Sequence, residues 1–95
     1  MSIENFETLA EVIRKKNILE KYKLEKIGIF GSFARGETAN DIDVYIDLDE
    51  FDSKNLIGLK NDLEKIFQKN VDIMIKKYAN PIVLYRAQKD MKYVS

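Results

Sequence analysis

Two stretches of the chain carry hydrophobic residues at helical spacing. Within residues 6–22, apolar side chains recur at i, i+3, i+4 and i+7 from Phe6 to Ile13, and most of the residues between them are charged. In the second stretch, Ser53 is a candidate N-cap and a leucine-rich stripe follows it as far as Phe67. Because this spacing places the apolar residues on one helix face, the sequence predicts two amphipathic helices.

Three short segments have the length and the hydrophobic pattern of β-strands. Residues 27–30 form an apolar run that ends at a glycine, which favours a buried strand. Residues 41–47 and 71–75 alternate strictly, with apolar side chains on one face and mainly polar side chains on the other. Asn80 before a proline predicts a short helix over residues 81–88. The last residues, 91–94, are consistent with an edge strand or a frayed tail.

The order and number of these elements indicate one small α/β (α+β) domain. A chain of 95 residues with 45% hydrophobic side chains can bury a single modest core, and we expect one domain over residues 1–95. No apolar run approaches the length of about 18 residues that a membrane helix needs, and the N-terminus lacks the features of a secretory signal. We therefore expect a cytoplasmic protein that does not bind membranes.

The composition excludes several classes of chemistry. The chain has no cysteine and no histidine, which rules out disulfides, thiolate or imidazole zinc sites, and catalytic triads built on histidine. Sixteen basic residues balance sixteen acidic ones, and a net charge of zero argues against a dedicated nucleic-acid-binding protein. A hard metal ion held by carboxylates is the remaining expectation for a metal site.

Three carboxylates occupy the polar faces of the two alternating strands. Asp41 and Asp43 stand at i and i+2, which places them on one face about 6.5–7 Å apart at their α-carbons. Asp72 holds the equivalent face of the later strand and joins them if the two strands pair. Three such carboxylates repel one another unless cations neutralise them, and an oxygen-only set suits Mg²⁺ or Mn²⁺. A solvated outer face is the alternative interpretation.

A glycine-serine pair, Gly31 and Ser32, ends the first strand and precedes a predicted helical turn over residues 33–36. Backbone N–H groups and the hydroxyl at such a turn can bind a phosphate, although the same pair is also common in ordinary turns. The glycine-rich dinucleotide fingerprint, the P-loop and the EF-hand are all absent from the sequence.

Taken together, these motifs resemble the minimal nucleotidyltransferases of the DNA polymerase beta-type superfamily. The resemblance rests on residues 31–36 (Gly-Ser-Phe-Ala-Arg-Gly), residues 41–43 (Asp-Ile-Asp) and residues 71–73 (Val-Asp-Ile), and it extends over nearly the whole chain. It implies a small mixed β-sheet flanked by helices. It also implies transfer of a nucleoside monophosphate from a nucleoside triphosphate, with ATP favoured, to a hydroxyl group, assisted by two Mg²⁺ ions, with Mn²⁺ as an alternative.

The resemblance assigns a role to each matching residue. Gly31 and Ser32 would hold the triphosphate, and Asp41 and Asp43 would bind both metal ions. Asp72 would complete the metal site on the attacking side and help to deprotonate the nucleophile.

Arg35 and the link that follows it leave two questions open. Arg35 either approaches the phosphates or braces the acidic cluster, and the alternative is a structural ion pair with Glu37 or Asp41. The link from Ser32 to Asp41 is shorter than these proteins usually have, with Asn40 where a serine is common.

Many minimal members of the family resemble one half of a two-gene pair with a HEPN-family protein. This implies an antitoxin that binds its HEPN partner and transfers AMP to one of the partner's tyrosines. Two alternatives remain: an antitoxin that only binds, or a stand-alone enzyme acting on a small molecule. The exposed side of the first helix, Tyr78, Tyr85 and Tyr93 are candidates for a partner surface, but we expect the tyrosines to pack in the core or at its rim.

Overall fold

The computed structural model describes residues 5–95, which form a four-stranded mixed sheet with helices packed against it. In sheet order the strands are β3 (Asn70–Ile75), β2 (Asp41–Ile46), β1 (Ile27–Phe30) and β4 (Lys92–Val94). Strand β2 runs parallel to β3, whereas β1 is antiparallel to both β2 and β4. The expected α/β class and mixed sheet are confirmed, and the C-terminal segment is an edge strand.

Five α-helices and one short 3₁₀ turn connect the strands within the described residues. They are α1 (Phe6–Lys15), α2 (Ile18–Lys21), α3 (Gly31–Ala34), α4 (Ser53–Phe67), the 3₁₀ turn (Lys76–Tyr78) and α5 (Pro81–Asp90).

The single helix expected over residues 6–22 is instead two helices, so that prediction was wrong in its extent. Asn17 adopts the left-handed conformation with φ of 54° and separates α1 from α2. Asparagine tolerates this conformation better than most residues, and the hydrophobic pattern continues across the break. Spacing alone therefore could not reveal the interruption.

Side-chain caps define the beginnings of three helices. The Asn5 side chain accepts a hydrogen bond from the Thr8 amide at 2.9 Å, and Asn80 caps α5 in the same way. The cap of α4 is Asp52, one residue before the expected Ser53, and its carboxylate accepts from the Lys54 amide. Each cap satisfies amides that the first helical turn leaves unpaired.

The core lies between one face of the sheet and helices α1 and α4. Fully buried side chains from α1 and α4 meet the inward residues of β2 and β3. Burial of this apolar surface provides the main favourable contribution to folding. The residues with 0–1% exposure on these elements are Leu9, Ile13, Ile42, Val44, Ile46, Leu59, Leu63, Phe67 and Val71.

Two of the three tyrosines expected in the core or at its rim lie outside it. Tyr78 is 77% exposed and Tyr85 is 65% exposed, because they project from the 3₁₀ turn and the outer side of α5. Tyr93, at 41%, stands on the edge strand with the Lys26 ammonium over its ring. The expectation of packing was wrong for Tyr78 and Tyr85.

No helix within residues 5–95 is both long enough and apolar enough to span a lipid bilayer.

We expect Leu63→Ala to lower the free energy of unfolding by about 2–5 kcal/mol, because it opens a cavity at a fully buried position of α4. Ile57→Ala on the same helix is the matched control. Ile57 is 62% exposed, so its truncation should change stability by less than about 0.5 kcal/mol. Urea unfolding of both variants measures the difference, and equal losses would contradict this placement of the core.

Candidate active site

The strand register brings two carboxylates side by side. Asp43 of β2 is the direct partner of Asp72 of β3, and Asp41 lies opposite Asn70. Neighbouring strands are about 4.8 Å apart, and residues that pair in a parallel ladder project to the same side. Asp41, Asp43 and Asp72 therefore share the sheet face opposite the core, where Asp43 is half-buried and the other two are exposed.

The turn after β1 lies directly against Asp43. Phe30, the last residue of β1, pairs with Asp43, and Gly31 follows with φ of 77°. A β-carbon at Gly31 would overlap the Asp43 carboxylate. The left-handed backbone favours glycine at this position, and any larger residue would also displace the Asp43 carboxylate. The fold thus brings the glycine-serine turn and the carboxylates together.

Arg35 is held by two carboxylates. Its Nε donates to Glu37 at 2.7 Å and its Nη1 donates to Asp90 of α5 at 2.8 Å. Its Nη2 also donates to the Ser32 hydroxyl at 3.3 Å. The hydrogen bonds that Arg35 donates to Glu37 and Asp90 raise the pKa of its guanidinium above the usual range.

The structural ion pair considered for Arg35 is confirmed for Glu37. Among the ion pairs of the described residues, none joins Arg35 to Asp41. The pair with Asp90 was missed, because the two residues are separated by 55 positions and no local pattern connects them.

The carboxyl group of Asp43 has a clearly shifted pKa. Burial raises the pKa of its carboxyl group above the ordinary value, and the negative charges of Asp72 and Asp41 raise it further. Arg35 opposes the shift from across the turn. A carboxylate in this position gains from any cation that binds beside it.

The donor set at this face consists of oxygens, which fits Mg²⁺ or Mn²⁺. Within residues 5–95, however, no three acidic side chains lie close enough together to hold a metal ion in the conformation observed. Asp41 and Asp72 are exposed, and exposed side chains change rotamer on the picosecond-to-nanosecond timescale. The metal site itself stays a prediction.

The shortened link before β2 is anchored at its end. Lys69 Nζ donates to the carbonyl oxygen of Ala39 at 2.9 Å. Asn40 lines a surface depression with Asn70 rather than with the glycine-serine turn. The link therefore enters β2 in a defined position, and β2 pairs with β3 from its first residue, Asp41, onward.

A groove of about 180 Å³ separates the glycine-serine turn from α5. Two arginines line it, Arg35 from the turn and Arg86 from the helix, and Asp90 is also part of its lining. Sequence reasoning missed Arg86, since a single exposed arginine on a short helix carries no distinguishing pattern. A larger groove of about 620 Å³ runs along α1, α2 and α4 and contains none of the predicted site residues.

Comparisons with known proteins agree with this geometry. The model of the family described as "Polymerase beta, Nucleotidyltransferase" matches residues 14–94. A Methanocaldococcus jannaschii protein, named as a candidate protein adenylyltransferase, is 39% identical and is aligned over 90% of this chain and 94% of its own. The protein adenylyltransferase MntA of Thermococcus cleftensis is 28% identical, and the alignment covers 99% of this chain and 97% of that protein.

A solved structure has a similar fold. It contains the tri-AMPylated Shewanella oneidensis HEPN toxin in complex with an MNT antitoxin. The matched chain superposes with a TM-score of 0.68 at 20% identity, covering 95% of this chain and 72% of the other. At this identity the likeness concerns the fold alone.

Gly31→Ala should destabilise the protein more than Gly36→Ala. Both glycines have a left-handed backbone, with φ of 77° and 80°, so both alanines incur a conformational cost of about 1–2 kcal/mol. A β-carbon at Gly31 also overlaps the Asp43 carboxylate, whereas nothing lies within 4 Å of one at Gly36. We expect an extra loss of about 1–3 kcal/mol at Gly31 by urea unfolding; equal losses would disprove the close approach.

Asp43→Asn should stabilise the protein at neutral pH in the absence of divalent ions. The pKa of this carboxyl is higher in the folded state than its unfolded value of about 3.9. Its ionisation therefore does not affect the free energy of unfolding below that value, and it lowers the free energy of unfolding as the pH rises through the folded pKa. The gain measured by urea unfolding should therefore be present at pH 7 and small at pH 3.5. Asp49→Asn, at an exposed loop position, is the control, and a loss of stability in Asp43→Asn at pH 7 would refute the explanation.

Proposed function

This chain belongs to the polymerase beta nucleotidyltransferase family, and we propose that it transfers AMP from ATP to a hydroxyl group of a partner protein. The observation that supports this most strongly is the pairing of Asp43 with Asp72 beside the Gly31 turn. Phosphoryl transfer depends on positioning and charge stabilisation, and it does not require a cysteine or histidine nucleophile.

In this proposal, the backbone at Gly31 and the Ser32 hydroxyl hold the triphosphate. Asp41 and Asp43 bind Mg²⁺, which neutralises phosphate charge and polarises the α-phosphoryl group when bound. The Asp43 carboxylate lies against Gly31, so a cation held by Asp43 would lie beside a phosphate bound at the turn.

Asp72 is exposed beside Asp43, at the position from which an acceptor can approach. We assign it the role of receiving the proton from the attacking hydroxyl. The new bond joins the acceptor oxygen to the α-phosphorus. The bond from the α-phosphorus to the bridging oxygen breaks, and its electron pair leaves with pyrophosphate.

Arg35 acts as a positioning residue. Its bonds to Glu37 and Asp90 fix the guanidinium, and its third contact orients the Ser32 hydroxyl. This arrangement favours the structural ion pair over direct phosphate binding for Arg35.

The names of the relatives support a protein acceptor. Several are named as protein adenylyltransferases, and the solved complex contains an AMPylated HEPN toxin. We propose that this chain is the antitoxin of such a pair and modifies a tyrosine of its HEPN partner, with the whole of residues 1–95 forming one catalytic domain.

The test is transfer of label from α-labelled ATP to the protein encoded by the neighbouring gene, in the presence of Mg²⁺. We expect labelling by the wild-type chain and a loss of about 10²–10³-fold or more in Asp43→Asn, because the metal site is removed. Asp49→Asn, which changes an exposed carboxylate outside the site, should retain activity.

Intact mass and tyrosine mapping of the labelled protein identify the acceptor. A stable complex that forms without any label would favour an antitoxin that only binds. Label found on small molecules but not on protein would favour a stand-alone enzyme.

A further inference from the structure

Two arginines line the groove between the glycine-serine turn and α5, and only one of them is paired with carboxylates. Arg35 and Arg86 line it together with Gly31, over a partly apolar floor. Gly31 is also the residue whose backbone touches the Asp43 carboxylate. A ligand in this groove therefore lies next to the proposed reaction centre and between two positive charges.

Arg35 is already paired with two carboxylates. Its guanidinium donates to Glu37 and to Asp90 at 2.7 and 2.8 Å, and its remaining contact goes to Ser32. Two carboxylates already neutralise this guanidinium, so Arg35 offers a phosphate less net positive charge than an unpaired arginine does.

Arg86 is in the opposite situation. Its side chain is exposed at the wall of the groove. It takes part in no ion pair and no side-chain hydrogen bond with any of residues 5–95. Its planar fork of donors is available for an anion, and arginine can bind phosphate oxygens bidentately.

We propose that Arg86 binds the β- and γ-phosphates of the nucleotide and the pyrophosphate that leaves. This inference rests on the proposed function. Arg35 stabilises the turn through its contacts with Ser32, Glu37 and Asp90. Arg86, on α5, supplies the positive charge that contacts the phosphates. This deepens the proposed reaction by naming a phosphate-binding residue outside the family's motifs.

The charge balance of the site shows why such a residue is needed. Five carboxylates lie in the link after the turn, on β2 and β3 and on α5, and Arg35 pairs with two of them. When the bridging oxygen takes the electron pair from the α-phosphorus, negative charge grows on the departing pyrophosphate. Arg86 lines the groove beside Gly31, where it can stabilise that charge. The five carboxylates are Glu37, Asp41, Asp43, Asp72 and Asp90.

The test compares Arg86→Gln with Lys89→Gln. Lys89 is exposed one turn further along α5, where its ammonium lies 5.0 Å from the Tyr85 ring centre, and it does not line the groove. Calorimetry in Mg²⁺ measures binding of AMP-PNP, pyrophosphate and AMP to the whole chain, which separates phosphate recognition from nucleoside recognition and does not depend on turnover.

We expect Arg86→Gln to weaken AMP-PNP and pyrophosphate about tenfold or more, as for a lost hydrogen bond to a charged group. Binding of AMP should change less than about twofold, and Arg86→Lys should restore part of the affinity for pyrophosphate. Lys89→Gln should match the wild type with all three ligands.

Other outcomes overturn the inference in distinguishable ways. If the wild-type chain binds no AMP-PNP, the proposed function itself fails. If the wild type binds but Arg86→Gln binds equally well, Arg86 has no role in phosphate recognition. Equal weakening of AMP, or equal weakening by Lys89→Gln, would show a nucleoside contact or a diffuse charge effect in place of the phosphate contact.

Discussion

The parallel pairing of β2 with β3 is the constraint on which the rest of the site depends. It places Asp43 beside Asp72 on the sheet face opposite the core and brings Asp41 to the same side. Partial burial raises the pKa of Asp43, and the like charges of Asp72 and Asp41 raise it further. The fold therefore maintains a local excess of negative charge, which cations can relieve. The proposed metal-assisted chemistry uses that excess.

The core explains why this register is maintained. Ile42 and Val44 alternate with the aspartates of β2 and are fully buried, and Val71 does the same in β3. A shift of one residue in either strand would expose these side chains and bury the carboxylates, at a large cost in free energy. The hydrophobic pattern that stabilises the domain thus also aligns the acidic residues. The Gly31 turn then completes the site by packing its backbone against Asp43.

The sequence predicted much of this arrangement, for identifiable reasons. Strict alternation in β2 and β3 located the carboxylates on the outer face, because each strand presents its faces with a period of two. What it could not predict depends on contacts between distant residues. The pair between Arg35 and Asp90 and the placement of Arg86 follow from how α5 packs beside the turn, and the break at Asn17 interrupts an intact apolar stripe. Whether the carboxylates bind metal and catalyse transfer stays a prediction.

The most direct measurement is the titration of the Asp43 carboxyl carbon by NMR, with and without Mg²⁺. Without the ion, the account predicts a pKa above that of an ordinary aspartate, since burial and the two neighbouring carboxylates disfavour the charged form. With saturating Mg²⁺, the pKa should fall below the ordinary value, because a bound cation favours the carboxylate. An Asp43 pKa that does not respond to Mg²⁺ would contradict the claim that these carboxylates form a metal site.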